Sequence, residues 1–313
     1  MRAFRFVLVA VMVSLIATAG WAQLSDVEKA MVLLGQNYNV RPNITYKVAN
    51  NYEAKLDVYY PRETKEPVPV VVVIHGGGWV AGAKEEGGLY LLPYLQMGFA
   101  VVNVEYRLAK VSLAPAAVED CLCALHWVGR HAKEYHFDLD KVIVTGGSAG
   151  GHLALTTAMI PPSAGFENEC LFEDDMGWAG NFVDSRPKVA AVLNFFGITD
   201  VADMLHGPNT RGYAVSWLGS LPDRENVAKR VSPLSYVRAG LPPILTIHGT
   251  ADKLVPYSQA VRLHEALTKA GVRNQLLTIE GGGHGNFTIE QQYKVSETVR
   301  TFLESLGILK SAK

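Results

Sequence analysis

The strongest constraint on this chain is a set of short, almost unbroken apolar runs. "VPVVVVIH", "FAVVNVEY", "KVIVTG", "VAAVLNFFG" and "PILTIHG" carry few polar side chains before their last positions. A strand with one wet face alternates apolar and polar residues, whereas a strand covered on both faces does not. These runs therefore predict parallel strands sandwiched between helices. "NQLLTIE" reads the same way, while "ITYKVA" and "AKLDVYY" alternate as half-exposed antiparallel edge strands do. Helical patterns such as "APAAVEDCLCALHWVGRH", "QAVRLHEALTKAG" and "VSETVRTFLESLG" lie between and after them. The expectation is an α/β fold, a mostly parallel, doubly wound sheet of eight strands with helices on both faces. With 313 residues, 49% of them hydrophobic, and no low-complexity tract, one large domain has enough apolar mass for its core.

Residues 1–22 are of another kind. Arg2 and Arg5 precede the uncharged run "FVLVAVMVSLIATAG", which has the length of a signal-peptide core and is short for a membrane span. Ala22 is a suitable last residue before cleavage, which leaves 23–313 as a single catalytic-sized domain; an uncleaved N-terminal anchor is the competing reading. Loss of the two arginines takes the net charge from −1 to −3. Nothing basic enough for nucleic acid remains. The expected location is secreted or periplasmic, with no stable membrane association after cleavage. Oligomeric state is not legible.

Two stretches interrupt the alternation, 160–187 and 200–235. Both are rich in turn residues with scattered aromatics, as lid-like insertions over the carboxyl ends of the strands are; plain surface loops are the alternative.

The glycines carry an ambiguity. In "HGGGWVAG" the spacing Gly76-x-Gly78-x-x-Ala81 spells the phosphate fingerprint of dinucleotide-binding folds. That fingerprint requires a helix to begin within the glycines, and "WVAGAKEEGGLY" runs on irregularly instead. No cofactor is therefore expected.

A second glycine pattern carries chemistry. After "KVIVTG" comes Gly146-Gly147-Ser148-Ala149-Gly150, a GxSxG between a strand and the helix-forming "GHLALTTAM". Such a turn is sharp and strained, it needs small residues two before and two after the serine, and it leaves the hydroxyl exposed at the top of a sheet. A serine hydroxyl also needs a base, and the base an orienting acid. Asp252 follows "PILTIHG" and His284 lies among glycines after the last strand. Asp200, after the preceding strand, is a rival acid. The chain order Ser148, Asp252, His284 is that of the α/β-hydrolase triad. His126, His131, His136, His152, His206, His248 and His264 read as surface, packing or turn residues, and none forms a metal-binding pattern.

Cys121 and Cys123 share a helix two positions apart, where side chains do not face one another. The expectation is buried free thiols, in preference to a bridge from this helix to Cys170, and there is no four-ligand zinc spacing.

"HGGGW", "EYRLA", "PAAVEDC", "GGSAGGH", "ILTIHGTAD" and "GGGHG" occur here in the order seen in α/β-hydrolase carboxylesterases of the hormone-sensitive-lipase-like group. Through "NFFGITDVADML" and "LPPILTIHGTADKLVPYSQAVRLHEALTKAGV" the chain is most similar to exported bacterial feruloyl and acetyl xylan esterases. It departs from many lipase-like members in having Gly147, not an acid, before the serine. The resemblance implies Ser148 as nucleophile, Asp252 as orienting acid and His284 as base. The backbone NH groups of Gly77, Gly78 and Ala149 are the candidate oxyanion hole, since glycine leaves room for a substrate oxygen. Trp79, Phe196, Trp178 and Tyr257 are candidate pocket residues, and Glu105 reads as a structural polar residue beside the site. The implied reaction is hydrolysis of short acyl or feruloyl esters on a small molecule or a plant polysaccharide such as xylan. Alternatives are an exopeptidase of the prolyl-oligopeptidase-like group and a non-catalytic binding protein on a hydrolase fold.

Overall fold

The computed structural model describes residues 26–170, 185–220 and 222–310. The proposed signal peptide and Trp178 lie outside the described residues. The chain divides into two compact units, one up to Tyr38 and one from Asn39 onward. The described part of the first is essentially helix α1 (Asp26–Asn37). Among the described residues no helix is long and apolar enough to cross a membrane.

The second unit is built on one eight-stranded sheet, β1 (Tyr38–Ala49), β2 (Tyr52–Pro61), β3 (Val68–Ile74), β4 (Ala100–Val104), β5 (Phe137–Gly147), β6 (Val189–Phe195), β7 (Ile244–Gly249) and β8 (Asn274–Ile279). Their order across the sheet is β1-β2-β4-β3-β5-β6-β7-β8. β2 pairs antiparallel with β4, and the pairs from β4 through β8 are parallel. This is the α/β-hydrolase fold. The all-apolar runs occupy the middle for the reason given above: Val70, Val71, Val72, Val101, Val102, Val142, Ile143 and Val144 are all fully buried.

β3 is where the chain changes direction. From β3 it crosses one way to β4, then back to β5 and onward to β6. Right-handed crossovers of opposite sense put helix α2 (Gly88–Gln96) and the helix after β5, Ala149–Met159, on opposite faces. Sheets of this kind bind ligands at the carboxyl ends of the strands flanking such a reversal.

The alternating segments correct one expectation. β1 is an edge strand, but β2 is interior. Its polar residue Asp57, which made the segment look half-exposed, is buried; the carboxylate receives Lys84 Nζ at 2.9 Å and the Asn43 amide at 2.7 Å. In β1 Lys47 is buried likewise, 3.0 Å from Asp120 and 2.7 Å from Glu169. Alternation here marks buried ion pairs as well as a wet face.

The expectation of three free thiols is also overturned. Cys123, in helix α3 (Ala116–Arg130), which the short helix α4 (Ala132–Tyr135) follows, is bonded to Cys170, and only Cys121 is free and buried. Tertiary packing supplies the proximity that a separation of 47 residues conceals. Glu169 is drawn to Lys47 and to Arg107, and its neighbour Cys170 is thereby laid on the helix.

The two excursions differ. The first connects the lower end of Ala149–Met159 to the start of β6, and half of it, residues 171–184, lies outside the described residues. Its flanks are tied to α3 by the disulfide and by His126, which meets Ser185 Oγ at 3.1 Å and Glu167 at 3.2 Å. The second leaves the carboxyl end of β6 and carries helix α6 (Gly212–Leu218) across to the loops after β3 and β7. Arg211 and Tyr213 hold it there, donating to the carbonyls of Lys253 and Leu254.

Candidate active site

Ser148 sits between β5 and helix α5 (Ala149–Met159) with φ 57° and ψ −123°. An aromatic or β-branched chain would tolerate this region poorly, and single residues adopt it only where the surroundings enforce it. The enforcement comes from crowding. A Cβ on Gly146 would lie 2.4 Å from the Ile74 carbonyl oxygen, and one on Gly150 would lie 2.1 Å from the same atom. The glycines of the GxSxG therefore let β5 and α5 pass against the end of β3. The Ser148 amide donates to the Phe195 carbonyl at 2.9 Å, which ties the turn to β6.

Asp252 and His284 come from the loops after β7 and β8, and the structure brings them together. His284 Nδ1 donates to Asp252 Oδ2 at 2.7 Å; the Asp252 side chain is fully buried and that of His284 is 17% exposed. The carboxylate also accepts the Leu254 and Val255 amides at 2.8 and 2.9 Å, and lies 3.3 Å from His248 Nε2. Burial alone would raise its pKa. The bonds from His248, His284 and the Val255 amide outweigh it and hold the carboxyl well below the usual range. With Nδ1 engaged, Nε2 is the imidazole nitrogen not bound to the carboxylate. Asp200, the rival acid, is paired instead with Arg262 at 2.8 Å.

The "HGGGW" loop leaves β3 next to the serine turn. Gly77 has φ 110° and Gly78 φ 60°, and a Cβ on Gly77 would lie 2.0 Å from the Ala81 carbonyl oxygen. Glycine is required at that position on both counts. Among the described residues neither the Gly77 nor the Gly78 amide donates to a backbone acceptor. No helix starts within these glycines; the segment turns irregularly to a short 3-10 turn at Lys84–Gly87. His75, at the head of the loop, stacks on Tyr106 with ring centres 4.3 Å apart, and burial pushes its pKa down to about 4. Glu105 is structural as expected: it accepts the Lys84 amide at 2.9 Å, and burial raises its carboxyl.

Trp79 requires a correction. It is fully buried and lines no open pocket. Its ring stacks on Trp217 of α6 at 4.2 Å, and its indole NH donates to His152 Nδ1 at 3.2 Å. Phe196, half-buried with φ 42°, lies between the serine turn and the histidine loop, its ring centre 4.6 Å from that of His284. Tyr257 is half-buried and engaged elsewhere: its hydroxyl meets Thr278 Oγ1 at 2.5 Å and its ring packs edge-on to His248. Ala149 opens α5 directly after the serine.

Three further residues belong to this neighbourhood. His248 backs the Asp252 carboxylate; its signal was a histidine in a fully buried strand, four residues before the acid. His152 is one helical turn after Ser148 and fully buried. Tyr213 lies against the oxyanion-loop candidate, since a Cβ on Gly78 would meet its Cβ at 2.8 Å. No spacing in the sequence announces that contact.

Known proteins similar to this chain include carboxylic ester hydrolases. The BD-FAE family model matches residues 56–267. A probable carboxylic ester hydrolase of Mycobacterium tuberculosis is 31% identical over 61% of this chain and 43% of its own length. A probable isoprenylcysteine alpha-carbonyl methylesterase of Arabidopsis thaliana is 26% identical over 80% of the chain and 52% of its own. The chain thus spans about half the length of these relatives. Among solved structures, esterase 2 of Thermogutta terrifontis is similar with TM-score 0.70 and 29% identity over 88% of this chain and 96% of that one in its form phosphorylated by paraoxon. Its butyrate-bound form gives TM-score 0.71 at 29% identity, with 88% and 97% covered. The family match covers more than half of the chain and includes the strands on which Ser148 and Asp252 stand, so this protein belongs to the BD-FAE family.

Proposed function

We propose that this protein is an exported serine esterase that removes short acyl or feruloyl groups from esters of plant cell-wall polysaccharide such as xylan. The observation that carries the reading is the 2.7 Å bond between Asp252 and His284, with Ser148 held on its strained turn across the same edge of the sheet. His284 Nε2 takes the proton of Ser148 Oγ as that oxygen bonds to the ester carbonyl carbon. The negative charge that develops on the carbonyl oxygen meets the amides of Gly77, Gly78 and Ala149. As the intermediate collapses, the bond to the alcohol oxygen breaks and the alcohol leaves with the proton from His284. Water then attacks the acyl-serine carbonyl, giving its proton to His284, and the acid departs as Ser148 recovers that proton.

The relatives support ester hydrolysis. The propionate- and butyrate-bound forms of the Thermogutta esterase support a short acyl group here, and its modification by paraoxon supports a reactive nucleophile. The Cys123–Cys170 bridge and the signal-like start support export to an oxidising compartment. Turnover of p-nitrophenyl acetate, methyl ferulate and acetylated xylan by wild type and Ser148→Ala tests the proposal. Cleavage of at least one of these esters that disappears in the variant is expected. Full activity in Ser148→Ala, or aminoacyl p-nitroanilide cleavage with no ester turnover, overturns it.

A further inference from the structure

The proposed oxyanion hole is assembled from two separate pieces of chain. Gly77 and Gly78 lie on the loop after β3, and Ala149 opens the helix after Ser148. Donors on two elements stabilise a transition state only when the elements keep a fixed spacing, because the charge they meet appears at one point. A side-chain hydrogen bond joins the two pieces. Trp79, the residue after Gly78, donates from Nε1 to Nδ1 of His152, three residues after Ala149.

The surroundings fix every part of this link. His152 Nε2 lies 2.7 Å from the Val231 carbonyl oxygen, to which only a protonated nitrogen can bond. The ring is therefore the Nε2–H tautomer, and Nδ1 is left as the acceptor that the indole NH needs. The His152 amide donates to the Ser148 carbonyl at 3.0 Å, so the ring moves with the serine turn. Trp79 itself is held with φ 62°, an uncommon value for a bulky residue, and its carbonyl accepts the Ala109 amide at 2.8 Å. Edge-on packing of His152 against both Trp79 and Trp217 closes the cluster, and Trp79, His152 and Trp217 are all fully buried.

We infer that His152 is a positioning residue for the reaction: by accepting the indole NH of Trp79 it sets the distance between the two halves of the oxyanion hole. The inference rests on the esterase reading and adds to it a residue outside the Ser148, Asp252, His284 set. A pure packing role makes the opposite forecast, since a fully buried site then prefers an apolar side chain.

Three variants separate the two. His152→Asn keeps an acceptor near the place of Nδ1, His152→Leu removes it, and Trp79→Phe removes the donor while retaining an aromatic ring for Trp217. With p-nitrophenyl acetate, His152→Leu and Trp79→Phe are expected to lower kcat about 10- to 100-fold with KM within about threefold. His152→Asn is expected to retain most of kcat even if it melts lower than His152→Leu. Affinity for phenylboronic acid, whose adduct with serine is tetrahedral, should fall in step with kcat. Combining Trp79→Phe with His152→Leu should cost no more than either alone. Wild-type kcat in folded His152→Leu and Trp79→Phe, or a kcat for His152→Leu at or above that of His152→Asn, overturns the inference. Should His152→Leu fail to fold, Trp79→Phe decides by itself. A wild-type protein that hydrolyses no ester defeats the esterase proposal instead, so the two failures are distinguishable.

Discussion

The carboxylate of Asp252 accepts Nδ1–H of His284 across 2.7 Å, and the same oxygen lies 3.3 Å from Nε2 of the buried His248. An acid held from two sides in this way stays ionised and cannot turn away from the imidazole. Asp252→Asn preserves size but offers His284 an amide that can present the wrong hydrogen-bonding group. Loss of kcat by up to about 10⁴-fold is expected, with KM changed far less. Stability should respond to acid in one direction. The folded pKa is depressed, so the carboxylate contributes stability that is complete above the ordinary value of 3.8 and is lost as pH falls below it toward the folded value. Denaturant titrations of wild type and Asp252→Asn should converge below that point.

Gly78 is confined by conformation and by a neighbour. It has φ 60°, and a Cβ would meet Tyr213 Cβ at 2.8 Å. Gly78→Ala should therefore displace either the loop or α6, and kcat for p-nitrophenyl acetate is expected to fall by about 10²-fold or more if the amide leaves the oxyanion position. Pairing it with Tyr213→Gly, which removes the opposing Cβ, relieves the clash but not the left-handed strain of about 1–2 kcal/mol. Partial recovery of kcat in the double variant is the expected result, and none would show that backbone conformation dominates.

Two buried histidines make the fold sensitive to mild acid. Burial lowers the pKa of His75 to about 4 and that of His152 to about 3, against 6.5 for an ordinary histidine. Below pH 6.5 the unfolded chain takes up protons that the folded chain refuses, so stability falls with pH, until the folded groups titrate in turn. The slope is about 1.4 kcal/mol per pH unit for each fully refused proton. Urea unfolding between pH 7 and pH 5 should show this decline, and His152→Asn should reduce its slope by one proton's share. An unchanged slope would place the protonated His152 in a tolerated site.

The Cys123–Cys170 bridge closes a separation of 47 residues. Restricting the unfolded chain over a loop of that size stabilises by roughly 3–4 kcal/mol. Replacing both cysteines by alanine should lower the melting temperature by roughly 10 °C. Cys121→Ala, which breaks no bridge, should cost less. Turnover at 25 °C by the folded double variant should stay close to wild type, because the bridge joins α3 to the flank of the first excursion and touches none of the loops after β3, β5, β7 or β8.

Much of this arrangement was legible before folding, and the reasons are local. The unbroken valine runs of β3, β4 and β5 exclude a wet face, and the GxSxG glycines are the only residues that fit beside the Ile74 carbonyl. Chain order then suffices to nominate Asp252 and His284, since each follows a strand and the strands end on one edge of the sheet. The misreadings have a physical pattern as well. Asp57 and Lys47 looked like solvent-facing positions because a polar side chain in a strand usually is one, yet both are neutralised by partners distant in sequence. Cys123 and Cys170 looked unpaired for the same reason.

Trp79 shows the boundary most plainly. Beside a glycine loop, an aromatic reads equally well as a pocket wall or as core, because its ring is amphipathic and its spacing is silent. Packing made the choice: helix α6 returns over the loop, Trp217 covers one face of the indole, and His152 receives its NH. Residue order along the chain sets periodicity, turn geometry and the succession of strand ends, all of which act over a few residues. Which side chains meet across the carboxyl edge is set by the excursion between β6 and β7. Its course depends on contacts such as Tyr213 with Gly78 and Arg211 with the Lys253 carbonyl, which exist only after the sheet has brought its strand ends together.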